Sequence, residues 1–195
     1  MATGASNAKH LIGAHGLFWE RDVVDWDAPR GQTFQLLGYR HSLRPKLQVC
    51  DFRRARGVYL LFNEYGPTYV GQARGAADGI GKRLRAHHGD GFKDWTRFCW
   101  FSFDDVTPSP GLPGWCDVVR EENARTVGAE SAINDLEALM IVAFGLRSQN
   151  QMKLAASGSP WKQLTRDDCL PGGVGRKVDP EWIRMASLRE ARDLD

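Results

Sequence analysis

Residues 57–71 read GVYLLFNEYGPTYVG, and this stretch decides the fold prediction. The runs 58–62 and 68–70 are rich in β-branched and aromatic residues, a composition that is typical of β-strands. The residues between the two runs include Asn, Gly and Pro, which favour a short turn. The sequence therefore predicts a β-hairpin that carries Tyr59 on its first strand and Tyr69 on its second.

Two helical patterns and a third strand follow the hairpin. Residues 80–87 (IGKRLRAH) predict a basic helix, and residues 97–103 (RFCWFSF) predict a strand. The apolar spacing between residues 129 and 146 predicts a long helix with one face in the core. This order of elements favours an α+β fold, a small sandwich of helices against an antiparallel sheet.

The remainder of the chain is less regular. Residues 1–16 are small and polar, which predicts a mobile arm, and residues 107–114 (TPSPGLPG) predict a loop. The glycines and prolines of residues 157–175 predict an irregular tail. The predicted organisation is an N-terminal extension at 1–56, a core at 57–155 and a C-terminal extension packed on the core at 156–195.

The composition is that of a globular protein. Of the 195 residues, 42% are hydrophobic and 10% are aromatic, which excludes a wholly disordered chain. No run approaches the roughly 20 apolar residues that span a bilayer, so we expect no association with a membrane. The four cysteines are scattered without a CxxC pair, and no signal-peptide pattern opens the sequence. These features predict a cytoplasmic protein with reduced thiols.

Charge is unevenly distributed along a chain whose formal net charge is only +2. Residues 30–56 contain seven basic residues and one acidic residue, which gives this basic segment a formal charge of +6. Aromatic and amide side chains are interspersed among the charges, as in surfaces that bind nucleic-acid phosphates and sugars. Arg40, Arg44 and Lys46 are therefore candidate DNA-binding residues, although a solvated basic surface would give the same pattern.

Five side chains of the core segment are of the types used in phosphodiester hydrolysis. Arg83 and His87 are four residues apart, so they share one face of the predicted helix. Glu137 lies among apolar residues of the long helix, and Tyr59 and Tyr69 lie on the hairpin. A carboxylate can hold a divalent metal, a guanidinium can neutralise charge on a phosphate, and a base can activate water.

Two other kinds of site are disfavoured. The glycine-rich stretch 71–81 (GQARGAADGIG) lacks the Lys-Ser/Thr pair of a P-loop and does not contain GxGxxG. His87 and His88 are adjacent, so their side chains diverge on a helix, and no CxxC or HExxH motif accompanies them. The sequence therefore favours neither a nucleotide-binding loop nor a zinc site.

The chain resembles the GIY-YIG endonuclease family over residues 57–150, about half of its length. The matching positions, in the family's order, are Gly57-Val58-Tyr59, Tyr69-Val70-Gly71, Arg83, His87, Glu137 and Asn150. The resemblance implies a three-stranded antiparallel sheet flanked by helices. It also implies hydrolysis of DNA phosphodiesters with one divalent metal, Mg²⁺ (or Mn²⁺).

The resemblance implies a role for each matching residue. Tyr59 would be the general base for the attacking water, and Tyr69 would form a hydrogen bond near the phosphate. His87 would assist Tyr59 or contact the phosphate. Arg83 would bind the scissile phosphate, and Glu137 would hold the metal. The other positions implied to bind substrate or support the site are Gly71, Lys82 and Asn150.

The spacing of the helix leaves alternatives open at two of these positions. Lys82 or Arg85 could take the place of Arg83, and His88 could take the place of His87.

A tyrosine base has an unfavourable pKa, because the free phenol titrates at about 10. We therefore expect the metal, Arg83 or Lys82 to lower the pKa of Tyr59.

The flanking segments bear on the biological role. The chain has no room for the long additional DNA-binding regions of homing enzymes, so it looks more like a stand-alone restriction or defence nuclease. We expect it to act on double-stranded DNA, where a single active site cuts one strand and a homodimer would cut both. The alternatives are a delivered nuclease toxin with the same chemistry and a non-catalytic nucleic-acid-binding module.

Overall fold

The computed structural model describes residues 10–27, 34–41, 47–74, 79–91, 93–120, 134–136, 138–141 and 159–164. Nine strands lie within these ranges: β1 (Ala14–Glu20), β2 (Leu37–His41), β3 (Leu47–Asp51), β4 (Gly57–Asn63), β5 (Gly66–Ala73), β6 (Arg97–Ser102), β7 (Asp105–Pro108), β8 (Trp115–Val119) and β9 (Ser159–Gln163). A 3₁₀ turn spans Arg21–Val23, and helix α1 spans Ile80–Asp90. Residues 134–136 and 138–141 are also helical. No helix within the described ranges is long and apolar enough to cross a membrane.

The strands form one mixed sheet in the order β5-β4-β6-β1-β9-β2-β3-β8-β7. The pairs β1–β9 and β3–β8 are parallel, and the other neighbours are antiparallel. The predicted fold class, a small α+β sandwich around a three-stranded antiparallel sheet flanked by helices, is therefore wrong. The sheet is three times larger because four strands of the flanking segments, 1–56 and 156–195, and two further strands of the core segment, β7 and β8, join it.

Strand β1 was missed because its small residues resemble those of a mobile arm. Gly16 pairs with Trp100 of β6, and a Cβ added at Gly16 would lie 2.3 Å from Nε1 of Trp100 and 2.6 Å from Cε2 of Trp19. Ala14, on the same face of the strand, is fully buried. Small side chains are thus required here by the two tryptophans, and residues 14–16 lie inside the sheet.

Strands β7 and β9 were missed because both contain proline. Pro108 ends β7, which is an edge strand of the sheet, and a residue without an N–H is tolerated at such an edge. Pro160 lies in β9, a short strand between β1 and β2. The loop predicted for residues 107–114 is consequently wrong at its first two positions, and the irregular tail predicted for 157–175 is wrong at 159–163.

The elements nearest the predicted site residues are confirmed. Strands β4 and β5 form the predicted hairpin, in which Tyr59 pairs with Gly71 and Leu61 pairs with Tyr69. Helix α1 and strand β6 occupy the predicted positions, and β6 pairs with β4 on the side away from β5. The hairpin and the helix that carry Tyr59, Tyr69 and His87 are therefore neighbours.

The two faces of β4 support two different cores. On one face, Tyr59 packs in a cluster with Trp100 of β6 and with Leu84 of α1. On the opposite face, Leu60 packs with a smaller cluster against which Leu139 also packs. Helix α1 and the helical residues around 139 therefore lie on opposite faces of this part of the sheet.

Candidate functional site

Helix α1 is fixed by close backbone packing against the segment that precedes β4. Ile80, Gly81 and Leu84 form its buried face. The N–H of Gly81 donates to the carbonyl of Arg53 at 3.0 Å, and a Cβ at Gly81 would lie 2.8 Å from the Cα of Arg53. The helix ends at Gly91, whose φ of 65° is in the left-handed region that glycine tolerates. This placement brings His87 over the hairpin.

Tyr59 makes the central contact of the site. Its side chain is 1% exposed, and its hydroxyl lies 2.8 Å from Nε2 of His87. The Tyr59 ring also covers the backbone of Gly71 on the neighbouring strand, because a Cβ at Gly71 would lie 2.2 Å from Cζ of Tyr59. Helix α1 and strands β4 and β5 thus all contact the side chain of Tyr59.

Asp90 contacts the other nitrogen of His87. Nδ1 of His87 lies 3.4 Å from Oδ2 of Asp90, three residues later on α1. If Nδ1 carries the imidazole proton, it donates to Asp90, and Nε2 is then the acceptor for the Tyr59 hydroxyl. Burial lowers the pKa of His87, and the hydrogen bond to Asp90 partly opposes that shift. His87 is therefore neutral at pH 7, and with the proton on Nδ1 it accepts the hydrogen bond of the Tyr59 hydroxyl.

The pKa of Tyr59 moves in the direction opposite to the expected one. Burial, and after it the proximity of Tyr69, raises the pKa of Tyr59 to about 12, while the positive charge of Arg83 opposes the shift. The expectation that nearby cations lower this pKa is wrong for the protein by itself, because desolvation of the phenolate outweighs the field of Arg83. Tyr59 is a neutral phenol at pH 7.

Tyr69 forms the outer wall of the same site. Its side chain is 37% exposed, and its ring centroid lies 4.9 Å from that of His87 and 6.2 Å from that of Tyr59. Nζ of Lys93 lies 4.8 Å from the Tyr69 ring centroid and 3.3 Å from Oδ2 of Asp90. The sequence interpretation missed both Asp90 and Lys93. The available signal was the spacing of three residues from His87 to Asp90, but the predicted helix over residues 80–87 did not reach Asp90.

The structure separates the alternatives left open on α1. The guanidinium of Arg85 lies 5.1 Å from the ring centroid of Phe34, and the ring of His88 stacks on Trp26 at 5.1 Å. His87, by contrast, contacts both tyrosines. Arg83 is exposed on α1 and acts electrostatically on Tyr59.

The other candidate residues are placed as follows. Lys82 is exposed on α1. Arg40 lies in β2, where its Nε donates to Oε1 of Gln48 at 2.6 Å and its guanidinium lies 4.7 Å from the ring centroid of Trp161. Arg40 is thus held to the sheet. Four candidates lie outside the described residues: Arg44, Lys46, Glu137 and Asn150.

A metal centre is not visible in the described ranges. These ranges contain no group of three or more His, Cys, Asp and Glu side chains that could hold a metal ion. Asp90, the carboxylate next to the tyrosines, already contacts His87 and Lys93. The described donors therefore do not form a site for Mg²⁺ or Mn²⁺, and the assignment of Glu137 as a metal ligand stays a prediction.

No protein-family model, curated protein or solved structure matches the chain. The functional argument therefore depends on the side chains of the site and on their geometry.

Proposed function

We propose that this protein is a metal-dependent DNA endonuclease with an active site of the GIY-YIG type and double-stranded DNA as its substrate. The observation that carries the proposal is the chain of contacts from Tyr59 through His87 to Asp90, with hydroxyl-to-imidazole and imidazole-to-carboxylate distances of 2.8 Å and 3.4 Å. A hydroxyl, an imidazole and a carboxylate in series form a general-base relay.

The relay resolves the difficulty of a tyrosine base. A phenol with a pKa of about 12 is not ionised at pH 7 and cannot act as a preformed phenolate. Its hydroxyl proton can pass to Nε2 of His87 while a lone pair of the same oxygen accepts a proton from water. The water oxygen then bonds to phosphorus, the bond from phosphorus to the leaving oxygen breaks, and the leaving oxygen takes a proton from solvent. Asp90 stabilises the imidazolium formed on His87.

The cations beside the relay are suited to a phosphodiester. Arg83 is close enough to act electrostatically on Tyr59, and its side chain is exposed to solvent, where a guanidinium can bind a phosphate of DNA. Negative charge increases on the phosphoryl oxygens as water attacks, and a fixed guanidinium offsets it. The ring of Tyr69 and the ammonium of Lys93 border the same space.

The proposal includes a divalent metal, and Glu137 is the one residue proposed to bind it. A bound Mg²⁺ or Mn²⁺ would supply Lewis-acid polarisation of a phosphoryl oxygen. The described residues contain no group of side chains that could hold the metal in place of Glu137. Their own contribution is the proton relay and the positive charge of Arg83.

A plasmid-cleavage assay tests the proposal. We expect the protein to convert supercoiled DNA to nicked or linear DNA with Mg²⁺ and not with EDTA, and we expect Tyr59→Phe to abolish this activity. Tyr65→Phe is the matched control, because Tyr65 lies in the hairpin turn and is 88% exposed. DNA binding without cleavage by the parental protein would contradict the proposal and favour a non-catalytic binding module.

A further inference from the structure

Asp104 anchors a second basic cluster, away from the tyrosines. Asp104 is fully buried, and its Oδ2 accepts a hydrogen bond from the backbone N–H of Arg56 at 2.7 Å. Its Oδ1 accepts one from Nε of Arg56 at 2.8 Å. A buried carboxylate with this many donors is strongly held. Arg56 is therefore fixed at the start of β4.

Arg120 and Arg54 extend the cluster to the surface. Nη2 of Arg120 donates to the carbonyl oxygen of Arg54 at 3.1 Å, and the side chain of Arg54 is exposed. Burial lowers the pKa of Arg120, Asp104 opposes that shift, and the charges of Arg56 and Arg54 add to it. Arg56 is thus paired with Asp104, and the guanidinium groups of Arg54 and Arg120 add positive charge beside this pair within the described residues.

The cluster adjoins the helix that carries the catalytic candidates. A Cβ at Gly79, which precedes α1, would lie 2.5 Å from the Cα of Arg54. Arg83 lies four residues further along, a rise of about 6 Å on an α-helix. One end of α1 therefore borders Arg54 and Arg120, and the middle of α1 borders the relay of Tyr59 and His87.

We infer that Arg54 and Arg120, positioned by Asp104 and Arg56, bind a second phosphate of the DNA strand that Arg83 holds at the scissile position. The inference rests on the proposed function, because it assigns the path of the same substrate. A phosphate would bring negative charge to the guanidinium groups of Arg54 and Arg120, whose geometry matches its oxygens. The DNA backbone would then run along α1 from the relay toward the start of the helix.

Salt-dependent binding of a short DNA duplex in EDTA tests the inference without any cleavage. Each phosphate contact contributes about 1 to the slope of log K against log salt. We expect the double variant Arg54→Gln/Arg120→Gln to lower the slope by about 1, for the one phosphate lost, and to weaken binding roughly tenfold at moderate salt. Arg54→Lys/Arg120→Lys retains the charges and should retain the parental slope.

The matched control is Arg97→Gln/Lys162→Gln, which removes the same charge from two exposed positions on other strands. It should leave the slope unchanged. An unchanged slope in the Arg54/Arg120 variant, or an equal loss in the control, overturns the second phosphate site whatever the cleavage assay shows. Parental protein that binds duplex with the expected slopes but never cleaves it overturns the proposed function and leaves the phosphate site standing.

Discussion

Gly71 lies directly beneath the ring of Tyr59, so close that a methyl group at position 71 would meet Cζ of the tyrosine at 2.2 Å. The two residues are paired across β4 and β5. Because the ring covers the glycine, the hydroxyl reaches Nε2 of His87 on α1 at 2.8 Å. Gly71 therefore determines where the side chain of Tyr59, the proposed base, lies.

Substitution of this glycine should damage catalysis more than folding. In Gly71→Ala the Tyr59 ring has to shift, and a misplacement on the order of 1 Å costs about a hundredfold in rate. Gly89→Ala is the control, because a Cβ at Gly89 within α1 meets nothing within 4 Å. That variant should cleave at the parental rate and unfold at a slightly higher temperature. Equal cleavage by both variants would contradict the positioning role of Gly71.

Asp90 should affect both the rate and its pH dependence. Asp90→Asn removes the charge that stabilises imidazolium at His87, and we expect a loss of about tenfold, since electrostatic elements of this kind contribute tenfold or more. Because Asp90 raises the pKa of His87, the acid limb of the pH–rate profile should also move to lower pH. Asp94→Asn, at an exposed position outside the helix, should change neither quantity. If the acid limb of Asp90→Asn lies at the same pH as that of the parental protein, Asp90 is not part of the relay.

The sequence predicted the local elements that carry Tyr59 and His87 better than it predicted the sheet. The hairpin, α1 and β6 are local patterns of apolar, aromatic and turn residues, and Tyr59 and His87 lie on them as expected. The nine-stranded sheet depends instead on long-range pairing, such as that of Ala14 with Ser102 and with Ser159. The small residues of β1 are needed because Trp100 packs on Gly16, a contact that the sequence alone does not reveal.

The electrostatics of Tyr59 could not be predicted from the sequence for a related reason. Nearby basic residues are visible in the sequence, and they predicted a lowered pKa. Burial of the ring between strands and helix is a property of the fold, and burial is the main cause that raises the pKa of Tyr59 to about 12. The same fold supplies His87 as the proton acceptor.

The metal prediction is tested by removal of the proposed ligand. Glu137→Gln should reduce Mg²⁺-dependent cleavage by more than roughly a hundredfold, as for other key electrostatic elements, and leave DNA binding in EDTA nearly intact. Glu64→Gln is the control, because Glu64 is exposed in the turn between β4 and β5. Parental rates in the Glu137→Gln variant would exclude this residue as the metal ligand.

His15 should make the protein sensitive to acid. Burial lowers its pKa to about 4 against an ordinary value of 6.5, and Asp135 only partly opposes the shift. The unfolded chain therefore binds a proton between these values that the folded chain does not, and stability falls as the pH falls. From pH 7 to pH 5 this linkage amounts to about 2 kcal/mol.

Urea unfolding of His15→Phe at the two pH values measures this effect. Phe is suited to the position because His15 stacks on Phe101, at 6.0 Å between ring centroids. The variant should lose about 2 kcal/mol less than the parental protein between pH 7 and pH 5. His10→Phe, at an exposed position, should behave as the parental protein does. Identical losses in all three proteins would exclude His15 as the acid-sensitive group.

The pH dependence of kcat/KM for plasmid cleavage, measured on the parental protein, Tyr59→Phe and Tyr69→Phe, tests the central claim most directly. The relay requires a neutral His87 and a protonated Tyr59, so the parental profile should rise below pH 6.5 and stay level through neutral pH. Tyr59→Phe should lose activity by orders of magnitude, and Tyr69→Phe only about threefold to tenfold, the value of one neutral hydrogen bond. A profile that instead keeps rising toward the pKa of a phenol, or a Tyr59→Phe variant that remains nearly active, would contradict the relay from Tyr59 to His87.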